Sequence, residues 1–267
     1  MPEPLRLLFL GDRRISWEAL KHLASPAWRD AFDLRGLVTS PDIEAHYTAL
    51  TGEQPQFITN ASRRTQAILD CIRDQQIDVL LSIQYNWILP ASVLDAVQRR
   101  AFNLHNAKLP DYKGYNSIAH AIHNGDTVYE STLHWMADEV DSGDIAYVGL
   151  TPIRPDDTAR SLYERSVDGA MDAFVRLLAD LKAGRSPPRR PMQTGAGVFY
   201  QRDSAAELAD LTGVVDPVQI ERTARAAYFP PVQTAWRQDG GERRPVLPAR
   251  TVGAAEALVP ANAPLYD

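Results

Sequence analysis

Four short apolar runs punctuate the first 105 residues, each closed by turn or polar residues and each followed by a helix-periodic or loop segment. They are LRLLFL (5–10), FDLRGLVTS (32–40), IDVLLSIQY (77–85) and RAFNLH (100–105). Runs of this length, rich in Leu, Ile and Val, suit strands buried on both faces. The intervening segments read differently. Trp17, Leu20 and Leu23 recur at a spacing of three, and helices are expected at 43–51 and 62–75, with a short strand at 56–58. The run WILPASVLDAV (87–97) reads as a loop and helix. Strands alternating with helices predict an α/β, Rossmann-like domain with a mostly parallel sheet and helices on both faces. Ligands of such sheets bind beyond the carboxyl ends of the strands, which puts the ends of 77–85 and 100–105 at the expected site.

Beyond residue 145, IAYVGLTPI reads as a further strand, and 157–181 as a long helix capped by Asp157 or Thr158. RSPPRRPMQTGAG (185–197) has the composition of a linker. It divides the chain into a catalytic domain, 1–185, and a small C-terminal α+β subdomain, 186–267. In the latter, VFY reads as a strand, 217–227 as a helix, and Asp239-Gly240-Gly241 as the turn of a hairpin. The Ala/Pro-rich tail 252–267 is expected to lie along another surface.

The net charge of −6 argues against a broad phosphate-binding surface, and so against a nucleic-acid partner. It leaves room for a small anion held by a few arginines. The N-terminus carries no long apolar run and no segment approaches a membrane span, so a cytoplasmic protein without membrane attachment is expected. The single cysteine, Cys71, rules out an internal disulfide framework. It reads as a small buried hydrophobe or, alternatively, a nucleophile.

Chemistry-bearing residues concentrate in 102–145. Asn103 and His105, two apart on a strand, share a face, where an amide and an imidazole can polarise a carbonyl and move a proton. Asp141, in MADEVDSGDI, can orient that histidine, and Gly143 allows close approach of the backbone. Asp144 reads as a turn residue. His120 and His123 sit three apart, but no third ligand stands at a metal-binding spacing, and no metal is expected. GDRRIS (11–16) lacks two of the three glycines of a dinucleotide fingerprint, which weighs against a nicotinamide-dependent oxidoreductase. Asp12, Arg13 and Arg14 could clamp a pyrophosphate or simply form a solvated charge pair. Lys113 falls in the key stretch. Tyr228 and Phe229, stiffened by Pro230-Pro231, read either as a stacking wall for a base or as a satellite core.

Asn103-x-His105, the Leu109-Pro110-x-Tyr112-Lys113-Gly114 turn, His134 and Val140-Asp141-Ser142-Gly143-Asp144-Ile145 together resemble the signature of the N10-formyltetrahydrofolate-dependent formyltransferases. The likeness runs from the first strand to residue 185. It implies direct formyl transfer to an amine without metal or covalent intermediate. His105 would be the general base, Asn103 the oxyanion donor and Asp141 the orienting carboxylate. The folate co-substrate would lie against Ser82, Gln84, Ile88 and Leu89 on one side and Asp138, Glu139 and Val140 on the other.

The wording His-Asn-Ala-Lys-Leu-Pro (105–110), followed by Tyr-Asn-Ser-Ile (115–118) and later by Tyr-Phe-Pro-Pro, is most similar to the sugar N-formyltransferases. This resemblance implies a nucleotide-linked 4-amino-4,6-dideoxy sugar, dTDP-linked, as acceptor, in surface polysaccharide or O-antigen synthesis. Asp12, Arg13, Lys113 and Tyr115 would then line the sugar-pyrophosphate path, with Tyr228 and Phe229 at the base. A homodimer is expected. The alternatives are methionyl-tRNA or another amine, or a GDP-linked sugar, as acceptor; a non-catalytic folate or sugar-nucleotide binder would not need all three of Asn103, His105 and Asp141.

Overall fold

The computed structural model describes residues 3–59, 65–193 and 197–249. In chain order the first elements are β1 (Leu5–Leu10), α1 (Arg14–Ala24), β2 (Phe32–Thr39), α2 (Pro41–Thr51), β3 (Gln56–Thr59), α3 (Thr65–Asp74), β4 (Val79–Ile83), α4 (Ala91–Ala96) and β5 (Ala101–His105). There follow β6 (Tyr112–Gly114), α5 (Ser117–Asn124), β7 (Val128–Trp135), β8 (Ile145–Pro152) and α6 (Ala159–Lys182). The C-terminal part contributes β9 (Val198–Tyr200), α7 (Ser204–Leu208), α8 (Pro217–Ala227), β10 (Ala235–Asp239) and β11 (Glu242–Val246).

Seven strands form one sheet in the order β3-β2-β1-β4-β5-β7-β8. The first five run parallel, while β7 pairs antiparallel with β5, and β8 with β7. The expected mostly parallel α/β sheet is therefore present, and the hairpin β10–β11 turns at Gly240-Gly241 as read. The strand β7 is absent from the reading of the sequence. Its residues 131–135 are all buried, so the polar-apolar alternation of a half-exposed strand is missing.

The central strands alternate between two cores. Leu7 and Phe9 of β1 join Leu20 of α1 and Phe174 and Leu177 of α6 on one face. Leu8 and Leu10 join Ile68 and Cys71 of α3 and Val93 and Leu94 of α4 on the other. Burying each such side chain contributes roughly 2 kcal/mol, which is why a run as apolar as LRLLFL becomes the middle of the sheet. Cys71 is fully buried and its thiol is pushed up to about 11, first by burial and then by Asp74, so the small-hydrophobe reading is the one that fits. Helix α6 starts at a capping box in which Thr158 and Ser161 exchange side-chain to backbone bonds.

Within the segment read as a linker, residues 188–190 are laid along the sheet edge. Ile145 and Arg190 exchange backbone hydrogen bonds of 2.8 and 3.0 Å, and Trp135 donates to the Pro188 carbonyl. The C-terminal part packs on α5 and α6 through α8, and β9 pairs with β6. The tail 252–267 and the expected helix start at 62–64 lie outside the described residues. Among the described residues no helix is long and apolar enough to cross a membrane.

Candidate active site

Strand register builds the site. Asn103 of β5 stands opposite Ser82 of β4 and opposite His134 of β7, so three polar side chains form a row across three strands. Period-two alternation sends Phe102 and Leu104 into the apolar core on the opposite face, leaving Asn103 and His105 together. Nearer the other end of the same face stand Leu80 and Ala101, in the second core. The face changes from apolar to polar at the carboxyl ends of the strands.

The row's hydrogen bonds settle its proton positions. Ser82 Oγ donates to Asn103 Oδ1 at 2.8 Å, and His134 Nδ1 lies 2.8 Å from the Trp135 carbonyl. A carbonyl only accepts, so Nδ1 of the neutral ring carries the proton and Nε2 has the lone pair. Asn103 Nδ2, 3.1 Å from that Nε2, donates to it and retains a second N–H. His105 Nε2 lies 3.1 Å from the Tyr112 carbonyl. By the same argument this Nε2 is protonated, and Nδ1 is the basic nitrogen.

Asp141 bridges the two imidazoles. Its Oδ2 is 3.8 Å from His105 Nε2, its Oδ1 is 3.7 Å from His134 Nε2, and Gly114 N–H donates to Oδ2 at 3.3 Å. The residue sits in the left-handed region at φ 51°, a conformation Asp tolerates better than most residues. Gly143 explains the turn that follows, because a Cβ there would lie 1.8 Å from the Trp135 carbonyl oxygen. Burial works to raise the Asp141 pKa. The positive charge that His105 and His134 carry when protonated, the bond a protonated His134 Nε2 then donates, and the Gly114 N–H outweigh it, and the carboxyl is held well below the usual range. Asp141 is therefore an anion at neutral pH.

These groups open into a cleft of about 490 Å3. Of the residues expected at the site, Ser82, Gln84, Ile88, Leu89, Asn103, His105, Asp138, Glu139, Val140, Asp141, Arg13, Tyr115 and Phe229 line it. Gln84 is a tie as well as a wall: its Oε1 accepts from Ile15 N at 3.2 Å and from Tyr163 Oη at 3.3 Å. Asp138 pairs with Arg99 at 2.6 Å. Asp12, Lys113 and Tyr228 are not among its walls. Tyr228 is 7% exposed where α8 ends against the start of α6, its carbonyl accepting from Arg160 N, so burial removes it from the stacking role expected for it. Phe199, Asn116 and Gln233, which the sequence reading passed over, do line the cleft. Phe199 belonged to a run (VFY) too short to show which face it presents.

His120 and His123 serve packing. His120 Nε2 is 2.9 Å from Ser204 Oγ and its ring stacks on Tyr200 at 3.7 Å, while His123 Nδ1 is 3.2 Å from Thr223 Oγ1. Among the described residues no group of three or more His, Cys, Asp or Glu is arranged to hold a metal. Burial, aided by His123, lowers the His120 pKa from 6.5 to about 4, and burial lowers that of His123 too. Between those values the unfolded chain binds a proton that the folded chain refuses. The associated stability is complete above pH 6.5 and is lost as pH falls toward 4. Urea unfolding should show a loss on the order of 2 kcal/mol between pH 7 and 4.5, and His120→Gln should flatten that slope. An unchanged slope in the variant would refute the assignment.

The sequence model of the family described as "Formyl transferase" matches residues 31–178, more than half of the chain. The chain belongs to the formyl transferase family. As such it is an N-formyltransferase. A methionyl-tRNA formyltransferase of Hydrogenovibrio crunogenus is 30% identical over 255 residues, spanning 91% of this chain and 78% of that protein. A 4-N formyltransferase from Francisella tularensis has the same fold, with a TM-score of 0.74 at 15% identity over 91% of this chain and 96% of that one. So has an N-formyltransferase from Helicobacter canadensis in complex with folinic acid and dTDP-3-aminofucose, with a TM-score of 0.70 at 18% identity over 90% of this chain and 86% of that one. The matched span of the formyl transferase family stops before β9, so the C-terminal wall of the cleft lies beyond it.

Proposed function

We propose that this formyl transferase moves the formyl group of N10-formyltetrahydrofolate to the 4-amino group of a dTDP-linked 4-amino-4,6-dideoxy sugar, in the cytoplasm, for surface polysaccharide such as O-antigen. The observation that carries the chemistry is the convergence on one cleft of a spare amide N–H (Asn103), a basic ring nitrogen (His105) and a carboxylate beside that ring (Asp141). The amine attacks the formyl carbon, the new C–N bond forms, and the bond to N10 breaks as N10 takes a proton. Asn103 N–H donates to the formyl oxygen as it gains charge. His105 Nδ1 takes the amine proton, and Asp141 pairs with the resulting imidazolium through the Nε2 side.

The residues fit a flat heteroaromatic donor. Ile88 and Val140 are 74% and 37% exposed at the cleft mouth, and the 138–141 backbone runs beside them. Arg13 and Tyr115 on the wall suit a diphosphate and sugar, and Phe229 a base. In this reading the subdomain 186–267 contributes to sugar-nucleotide binding or to dimerisation, and the protein acts as a homodimer.

Support for a sugar acceptor comes from the ligands and acceptor positions named for the Helicobacter and Francisella enzymes, and from a net charge of −6, unsuited to tRNA phosphates. The identity to methionyl-tRNA formyltransferases favours a second reading, with that aminoacyl-tRNA as acceptor. Incubation with N10-formyltetrahydrofolate and either dTDP-linked 3- and 4-amino sugars, a GDP-linked 4-amino sugar or methionyl-tRNA separates them by the formyl mass increment. The expected product is the dTDP-linked 4-formamido sugar. Product from methionyl-tRNA alone would replace this reading by the second.

A further inference from the structure

Both backbone groups that fix the His105–Asp141 pair come from one three-residue strand. Tyr112 C=O accepts from His105 Nε2, and Gly114 N–H donates to Asp141 Oδ2. That strand, β6, stands outside the main sheet and pairs in parallel with β9, from beyond the 185–197 segment. Tyr112, Lys113 and Gly114 lie opposite Val198, Phe199 and Tyr200. Val198 N–H donates to the Asp111 carbonyl and Tyr115 N–H to the Tyr200 carbonyl, each at 3.0 Å.

The fit between the two strands leaves no spare room. Gly197 has φ +84°, and a Cβ there would lie 1.7 Å from the Pro110 carbonyl oxygen. At Gly114, φ +81°, a Cβ would lie 2.4 Å from the Tyr200 carbonyl oxygen. Tyr200 then stacks on Tyr112 at 5.8 Å and on His120 at 3.7 Å, which holds β9 down on β6 and α5. Between Val198 and Tyr200 stands Phe199, 48% exposed and lining the cleft.

We propose that β9 is a positioning strand for the chemical step, with Gly197 and Tyr200 as positioning residues: it sets the Gly114 N–H and Tyr112 C=O against the His105–Asp141 pair and, through Phe199, ties that geometry to what occupies the acceptor half of the cleft. The C-terminal part thus acts on turnover as well as on acceptor binding. The inference rests on the assignment of His105 and Asp141 to catalysis, so its test has one arm that needs no substrate.

Gly197→Ala forces β9 off Pro110, and Tyr200→Leu removes the stack on Tyr112 and His120. In each, kcat should fall, by about 100-fold in Gly197→Ala and less in Tyr200→Leu, with KM for the folate donor unchanged. In the substrate-free arm the Asp141 carboxyl is followed by NMR through an acid titration. It faces His105, His134 and the Gly114 N–H, and loss of the last should raise its midpoint toward the ordinary carboxylate range. Gly213→Ala, at an exposed turn with φ +79° and nothing within 4 Å, imposes the same backbone strain away from the cleft; it is the control and should match the parent in both arms. If Gly197→Ala does not fold, Tyr200→Leu decides. A folded variant with the parent's kcat and an unmoved Asp141 midpoint overturns the proposal. A moved midpoint with no turnover even in the parent upholds the positioning geometry and instead rejects the catalytic assignment.

Discussion

His105→Ala should lower kcat/KM by about 1,000-fold, or roughly 4 kcal/mol of transition-state stabilisation, while the protein stays folded. His105 is the ring whose Nε2–H is spent on the Tyr112 carbonyl, so its Nδ1 is the group available to take the amine proton. Its side chain is 16% exposed, and truncation removes one hydrogen bond and little buried apolar surface. The stability cost should stay near about 1 kcal/mol, visible as a small shift in Tm. Steady-state formylation at saturating donor, alongside thermal unfolding, checks both halves. Near-parental turnover in a folded variant would remove His105 from the mechanism, whichever acceptor proves correct.

Asp141→Asn should lower kcat by about 100- to 1,000-fold with no change in the fold. The substitution is chosen for its silence elsewhere. Asn keeps the shape, accepts from Gly114 N–H as the carboxylate does, and tolerates the left-handed φ of 51° that this position requires. Alanine would strain that turn and confuse the result. What Asn removes is the charge held 3.8 Å from His105 Nε2 and 3.7 Å from His134 Nε2. Without it the imidazolium formed at His105 loses its counter-charge inside a buried site, where that pairing matters most. A folded Asp141→Asn enzyme with parental kcat would show that the carboxylate only shapes the turn.

Much of this was legible in the linear chain, for a definite reason. Runs such as LRLLFL and IDVLLSIQY are apolar on both faces, which suits a central parallel strand, and a cap at Asp157 or Thr158 announces the long helix α6. Asn103 and His105 share a face by period-two alternation alone. What the chain could not announce is who stands opposite whom. His134 was visible as a residue of the resemblance, yet its place between Asn103 and Asp141 follows from the register of β5 with β7, a strand whose buried residues 131–135 hide its period.

Tyr228 and Phe229 make the same point at closer range. They are adjacent, aromatic and equally plausible as a stacking wall in sequence, but Tyr228 ends α8 in the packed interior while Phe229 reaches the cleft. The sequence by itself determined the parallel strands, the helices between them and the shared face of Asn103 and His105, because these depend on local periodicity and residue type. Only the tertiary structure decided which ring nitrogens carry protons, which aromatics wall the cleft, and that β9 from beyond residue 185 pairs with β6 beside His105 and Asp141. Those outcomes depend on contacts between segments far apart in the chain, and no local pattern records them.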